Sequence, residues 1–69
     1  MMAGPRLVVT VVPGLVGQVA LALRARGIEV VSVLDAVGVV VVGPDADPAV
    51  LRGVPGVSAV EPEGEAGVL

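Results

Sequence analysis

Apolar residues in this chain recur with two different spacings, and each change of spacing marks a change of element. Arg6 to Val12 (R-L-V-V-T-V-V) is a run of β-branched residues and predicts a strand. Pro13-Gly14 ends it with a turn. From Leu15 to Arg26 the period lengthens. Val16, Val19, Ala20 and Leu23 fall on one helical stripe, and Gln18, Arg24 and Arg26 fall off it. Arg24 and Arg26 suit the negative end of a helix dipole, and Gly27 suits the residue after a helix. Ile28 to Leu34 returns to strand character, with Glu29 and Ser32 as polar breaks. Asp35-Ala36 is a tight connection to a third strand, Val37 to Val42, interrupted only by Gly38. So short a link implies an antiparallel hairpin.

Gly43-Pro44-Asp45 turns the chain again. Asp47-Pro48 predicts a helix start, because an N-cap Asp accepts orphan N–H groups and proline fits the first helical position. That helix is short, from Pro48 to about Gly53. Val54-Pro55-Gly56 leads into a fourth strand, Val57 to Glu61, in which Val57 and Ala59 alternate with Ser58 and Val60. Pro62 has no N–H for a ladder, so pairing is expected to stop there. The order is strand-helix-strand twice. It predicts an α+β, ferredoxin-like βαββαβ sandwich: a four-stranded antiparallel sheet with two helices on one face. Its other face, lined with valine, is expected to be bare and open to docking.

Composition narrows the picture. Sixty-nine residues make one domain spanning 1–69, with a leader at 1–5 and an extended C-terminal tail at 62–69. There is no Cys, His, Phe, Tyr or Trp. The core must therefore be aliphatic, and disulfides and ordinary zinc sites are excluded. At 55% hydrophobic and 16% charged the chain is too apolar for a disordered one. The uncharged run Leu7 to Leu23 could suggest a signal core or a span. Pro13-Gly14 and Gly17-Gln18 break it, however, and it is short for a bilayer. The net charge is −3, and all four basic residues are Arg. That argues against a nucleic-acid partner, which asks for a basic face. Membrane association is not expected either.

Catalytic chemistry is not expected. The only hydroxyls are Thr10, Ser32 and Ser58, and no His, Cys, Lys or Tyr can activate them. Asp45 and Asp47 read as turn and cap residues, and two carboxylates fall short of a calcium cage. No glycine-rich segment has phosphate-loop spacing. No cofactor and no metal is predicted, and the chain is read as a non-enzyme. The C-terminal segment stands apart. Glu61, Glu63 and Glu65 lead into the apolar stretch Ala66-Gly67-Val68-Leu69, which has no folding reason to exist as an exposed tail.

The run G-I-E-V-V-S-V-L-D-A-V-G-V-V-V-V (Gly27 to Val42) and the run P-G-V-S-A-V-E-P-E (Pro55 to Glu63) resemble the propeptide domain of subtilisin-like serine proteases. The most specific piece is Val60-Glu61-Pro62-Glu63 with six residues after it. The resemblance implies an inhibitor and folding chaperone of such a protease. Ala66, Gly67, Val68 and Leu69 would lie extended in the substrate cleft as bound product, with Leu69 in the main specificity pocket. Glu61 and Glu63 would cap the N-termini of two enzyme helices, as anions there should. Glu65 is left as a solvated charge. The departures are the missing aromatics, Pro62 in place of an ordinary residue, and the lack of a recognisable secretion signal. Location would be extracellular if the chain travels with a secreted protease. A second resemblance is to the amino-acid-binding ACT module. It has the same strand order, and Pro13-Gly14-Leu15 would form its ligand loop. A third reading is a structural domain that pairs with itself through the bare sheet.

Overall fold

A computed structural model describes residues 4–63. The elements, in chain order, are β1 (Leu7–Val11), α1 (Val16–Ala25), β2 (Val30–Leu34), a 3-10 turn (Asp35–Val37), β3 (Val39–Val42), α2 (Pro48–Arg52) and β4 (Val57–Pro62). The four strands form one antiparallel sheet in the order β2-β3-β1-β4. β1 and β3 are central, and β2 and β4 are the edges.

The predicted helical stripe is the buried one: Val16, Val19, Ala20 and Leu23. These side chains join Leu7, Val9 and Val11 of β1, Val40 and Val42 of β3, and Leu51 of α2 in a single apolar cluster. Both helices thus share a core with the same face of the sheet. With no aromatic side chain, aliphatic interdigitation supplies the whole of that core.

α1 ends as its sequence suggests. Gly27 has φ 77 and donates to the Arg24 carbonyl at 3.0 Å, while Ile28 donates to Leu23 at 3.1 Å. This paired closure, with Ile28 packing on the core, takes Ile28 out of the predicted strand and makes it part of the helix stop. β2 accordingly begins at Val30.

Two other boundaries move, and β4 is irregular within its length. Val37 was expected in the third strand but lies in the 3-10 turn, 68% exposed. Gly38 closes that turn with φ 70, a conformation that costs a residue bearing a Cβ. It is a turn residue and not a break within a strand. β4 carries a bulge: Val57 pairs with Val11 and Ala59 with Thr10, so Ser58 is extra. The bulge resets the alternation and lets both Val57 and Val60 pack on the core, where strict period two would have separated them. Pairing also runs past the expected stop, since Pro62 lies opposite Leu7. The Glu63 N–H donates to the Arg6 carbonyl at 2.6 Å. Alternation along the strand then turns the Pro62 nitrogen outward, where an edge strand needs no donor. β4 therefore ends at Pro62, one residue beyond the expected end at Glu61.

Candidate interaction surface

Cross-strand partners share a face, so the register identifies what points away from the helices. Val8 pairs with Val41 and Glu61, Thr10 with Val39 and Ala59, Ser32 with Val41, and Leu34 with Val39. This face is apolar, as expected, but unevenly open. Val41 is buried, and Val8, Ser32, Val39 and Ala59 are half-buried; Thr10, Leu34 and Glu61 are exposed. The large exposed apolar residues gather toward one edge, at Val31, Val33 and Leu34 of β2 and Val37 beyond it.

At the opposite edge stands the acidic end of β4. Glu61 is exposed beside Val8 and shows no hydrogen bond or ion pair among the described residues. Glu63, two residues on, takes a partner within the chain. Its carboxylate accepts from Nε of Arg6 at 2.6 Å, with the two side chains 50% and 37% exposed for Arg6 and Glu63. Together with the Glu63–Arg6 backbone hydrogen bond, this closes the far end of the β1–β4 ladder. Sequence reasoning grouped Arg6 with a strand and missed this role. The only available signal was register, which sets two residues 57 apart side by side. Of the predicted site residues, Glu61 and Glu63 are brought to one face. Ala66, Gly67, Val68 and Leu69, like Glu65, lie outside the described residues.

Two open cavities flank the sheet ends. One, of about 500 Å³, is lined by the Pro13-Gly14 turn, Val16, the Asp35–Gly38 turn and Ser58. Its polar groups are few: Thr10, Asp35 and Ser58, whose hydroxyl donates to the Thr10 carbonyl at 3.2 Å. The other, of about 390 Å³, lies between the end of α1 and the start of α2, and Arg26, Glu29, Asp45 and Asp47 are among its lining residues. Asp47 is engaged as a cap, accepting from the Ala49 N–H at 2.9 Å. No group of three or more metal-ligating side chains occurs among the described residues. No helix among them is long and apolar enough to cross a membrane.

Compared with protein-family models, curated proteins and solved structures, the chain matches none.

Proposed function

We propose that this protein binds and inhibits a subtilisin-like serine protease, placing Ala66-Gly67-Val68-Leu69 in the substrate cleft as bound product, and assists the folding of that protease. The observation that carries the reading is the acidic end of β4. Glu61 and Glu63 stand two apart on one face at a sheet edge, immediately before the segment that would enter the cleft. Strand-like entry of the tail fits this position, because an extended peptide gains backbone hydrogen bonds in a cleft while alternate side chains fill pockets. Glu61, which has no partner among the described residues, would meet an enzyme helix N-terminus. Glu63 must exchange Arg6 for one. An exposed ion pair of this kind is worth only about 0.2–1 kcal/mol, so the exchange is cheap. Chaperoning follows by mass action, since a domain that binds the folded enzyme shifts it toward the folded state. The chain supplies no catalysis in this reading, and nucleic acid and membrane are not its partners.

The finer description of the fold as a ferredoxin-like sandwich belongs to the same proposal. It is supported by the βαββαβ element order, by the strand order β2-β3-β1-β4, and by a core that both helices share with one sheet face. The test is an inhibition assay against a panel of subtilisin-like and chymotrypsin-like proteases, with the full chain and with a form lacking Val68 and Leu69. The full chain should inhibit a member of the first group. The truncated form should be weaker by about tenfold or more, some 1.4 kcal/mol, with unchanged circular dichroism. Equal inhibition by both forms, or none across the panel, overturns the reading.

One observation favours a second function, the ACT-like small-molecule module. The Pro13-Gly14 turn borders the larger cavity, as a ligand loop would. Saturable heat on titration with amino acids would support it, and a flat titration would remove it.

A further inference from the structure

The two ends of β4 are held by different means. At its start, Val57 packs on the core, and the Val57 N–H donates to the Val54 carbonyl at 3.1 Å. Val60 is the last residue of the strand to pack on that core. Beyond it, Glu61 and Pro62 are exposed and Glu63 is half-buried. β4 is also an edge, with β1 on one side and no strand on the other among the described residues. Pro62 has no N–H to give β1. One residue pair therefore makes the last contact with β1 among the described residues. The Glu63 N–H donates to the Arg6 carbonyl at 2.6 Å, and Nε of Arg6 donates to Oε1 of Glu63 at 2.6 Å. The two side chains are 50% and 37% exposed, so water and salt reach both.

We propose that the Arg6–Glu63 pair is a salt-sensitive latch on the end of β4, which decides whether the chain leaves the sheet after Glu63 or already at Glu61. Closed, it keeps the Glu63 carboxylate on Arg6 and the backbone on β1. Open, it releases the carboxylate to an outside cation or N–H donor. The rest of the molecule stays folded, because no core side chain leaves its place and strand ends of this kind open locally. Screening is what opens it: an exposed ion pair gains little, and concentrated salt removes most of that gain. Glu61 shares the face and repels Glu63, and screening relieves that repulsion too. It acts across two residues of strand, about 6.6 Å, against a direct contact, so the attraction sets the sign. This inference does not rest on protease inhibition. Under that reading the latch would also set when Glu63 is handed to an enzyme helix.

Amide exchange of the full chain tests it, followed residue by residue by nuclear magnetic resonance. Sodium chloride is raised from about 0.01 M to about 1 M, which shortens the Debye length from about 30 Å to about 3 Å. Protection is measured against an unstructured peptide of the same sequence at the same salt. Protection of the Glu63 amide should fall by about 1.4- to 5-fold. The Val12 amide, which donates to the Gly56 carbonyl at 2.8 Å at the other end of the β1–β4 pair, should keep its protection. Arg6→Gln should show the low Glu63 value at every salt concentration with Val12 unchanged, and Arg6→Lys should restore part of the salt dependence. Glu63 protection that ignores salt overturns the proposal. So does an Arg6→Gln chain that matches the unsubstituted one, or an equal fall at Val12, which would place the effect of salt on the whole fold. No protease enters the experiment, so its failure is distinct from a failure of inhibition.

Discussion

The two helices lie against the same core and are held there by different means. α1 has ten residues and buries four of them. Its N-terminal end has no side-chain cap, and its first turn carries no acidic residue. α2 has five residues and buries one, Leu51. It is capped by Asp47, starts on Pro48, and finishes with the Gly53 N–H donating to the Ala49 carbonyl at 3.2 Å. The difference follows from nucleation. The first turn of a helix fixes several residues for one hydrogen bond, and a five-residue helix has almost no further turns to offset that. α2 therefore depends on end chemistry and a single anchor, whereas α1 draws on the burial of a full stripe and tolerates a plain start.

The sharpest way to break this comparison is to truncate the anchors. Leu23 and Leu51 are both fully buried, and either one replaced by Ala should cost about 2–5 kcal/mol. For a chain of this length total stability is on the order of 3–10 kcal/mol, so both variants should melt far lower. The pattern of loss should differ. In Leu23→Ala, Val16, Val19 and Ala20 still hold α1, and amide exchange should accelerate uniformly. In Leu51→Ala, α2 loses its only anchor, and its amides should exchange faster than those of the sheet. Uniform exchange in both variants would mean that the helices are not held differently.

Gly56 is where the halves meet. Its backbone has φ 100, its carbonyl accepts from the Val12 N–H at 2.8 Å, and an added Cβ would stand 2.9 Å from Cγ2 of Val19. Gly56→Ala should cost about 1–3 kcal/mol, from left-handed strain and from pushing α1 off the α2–β4 connection. Gly53 is right-handed at φ −79, and a Cβ there meets only ordinary contacts. Gly53→Ala should change stability little. A thermal melt of the two variants side by side checks this, and equal shifts would deny that Gly56 is a contact point.

The parts of this fold legible in the sequence were the ones that local chemistry decides. The stripe of α1, the closure at Gly27 and the Asp47-Pro48 start all depend on residues within a turn of one another. What the sequence hid depends on which strand lies alongside. Pro62 reads as a stop until β4 is known to be an edge with its free side outward. Val57 and Val60 read as opposite faces until Val11 and Thr10 impose a bulge. Ile28 has strand-like chemistry, but the closing hydrogen bond to Leu23 claims it. For the candidate surface, the spacing of Glu61 and Glu63 was visible as a shared face, whereas the capture of Glu63 by Arg6 needed the β1–β4 register.

Removing the cap sharpens the same contrast at smaller scale. Asp47→Ala deletes the acceptor for the Ala49 N–H and should cost about 1 kcal/mol. In a helix this short the loss should appear as earlier fraying of α2 in hydrogen exchange, at unchanged β1 and β3 protection. A loss spread evenly over the molecule would show that the cap supports the whole core.

The smallest effect expected is a gain. Gly17 sits in the first turn of α1, exposed, and an added Cβ would meet nothing within 4 Å. Because α1 starts without a side-chain cap, reducing the freedom of its unfolded first turn is the remaining lever there. Gly17→Ala should stabilise the chain by about 0.5–1 kcal/mol, through the unfolded state and helix propensity rather than any new contact. The same substitution cannot be made usefully in α2, whose ends are already set by Asp47 and Pro48. The check is the midpoint of urea unfolding followed by circular dichroism, which should rise with an unchanged slope. A fall in the midpoint would mean that the start of α1 needs the smaller residue, and that burial alone does not explain how the long helix is held.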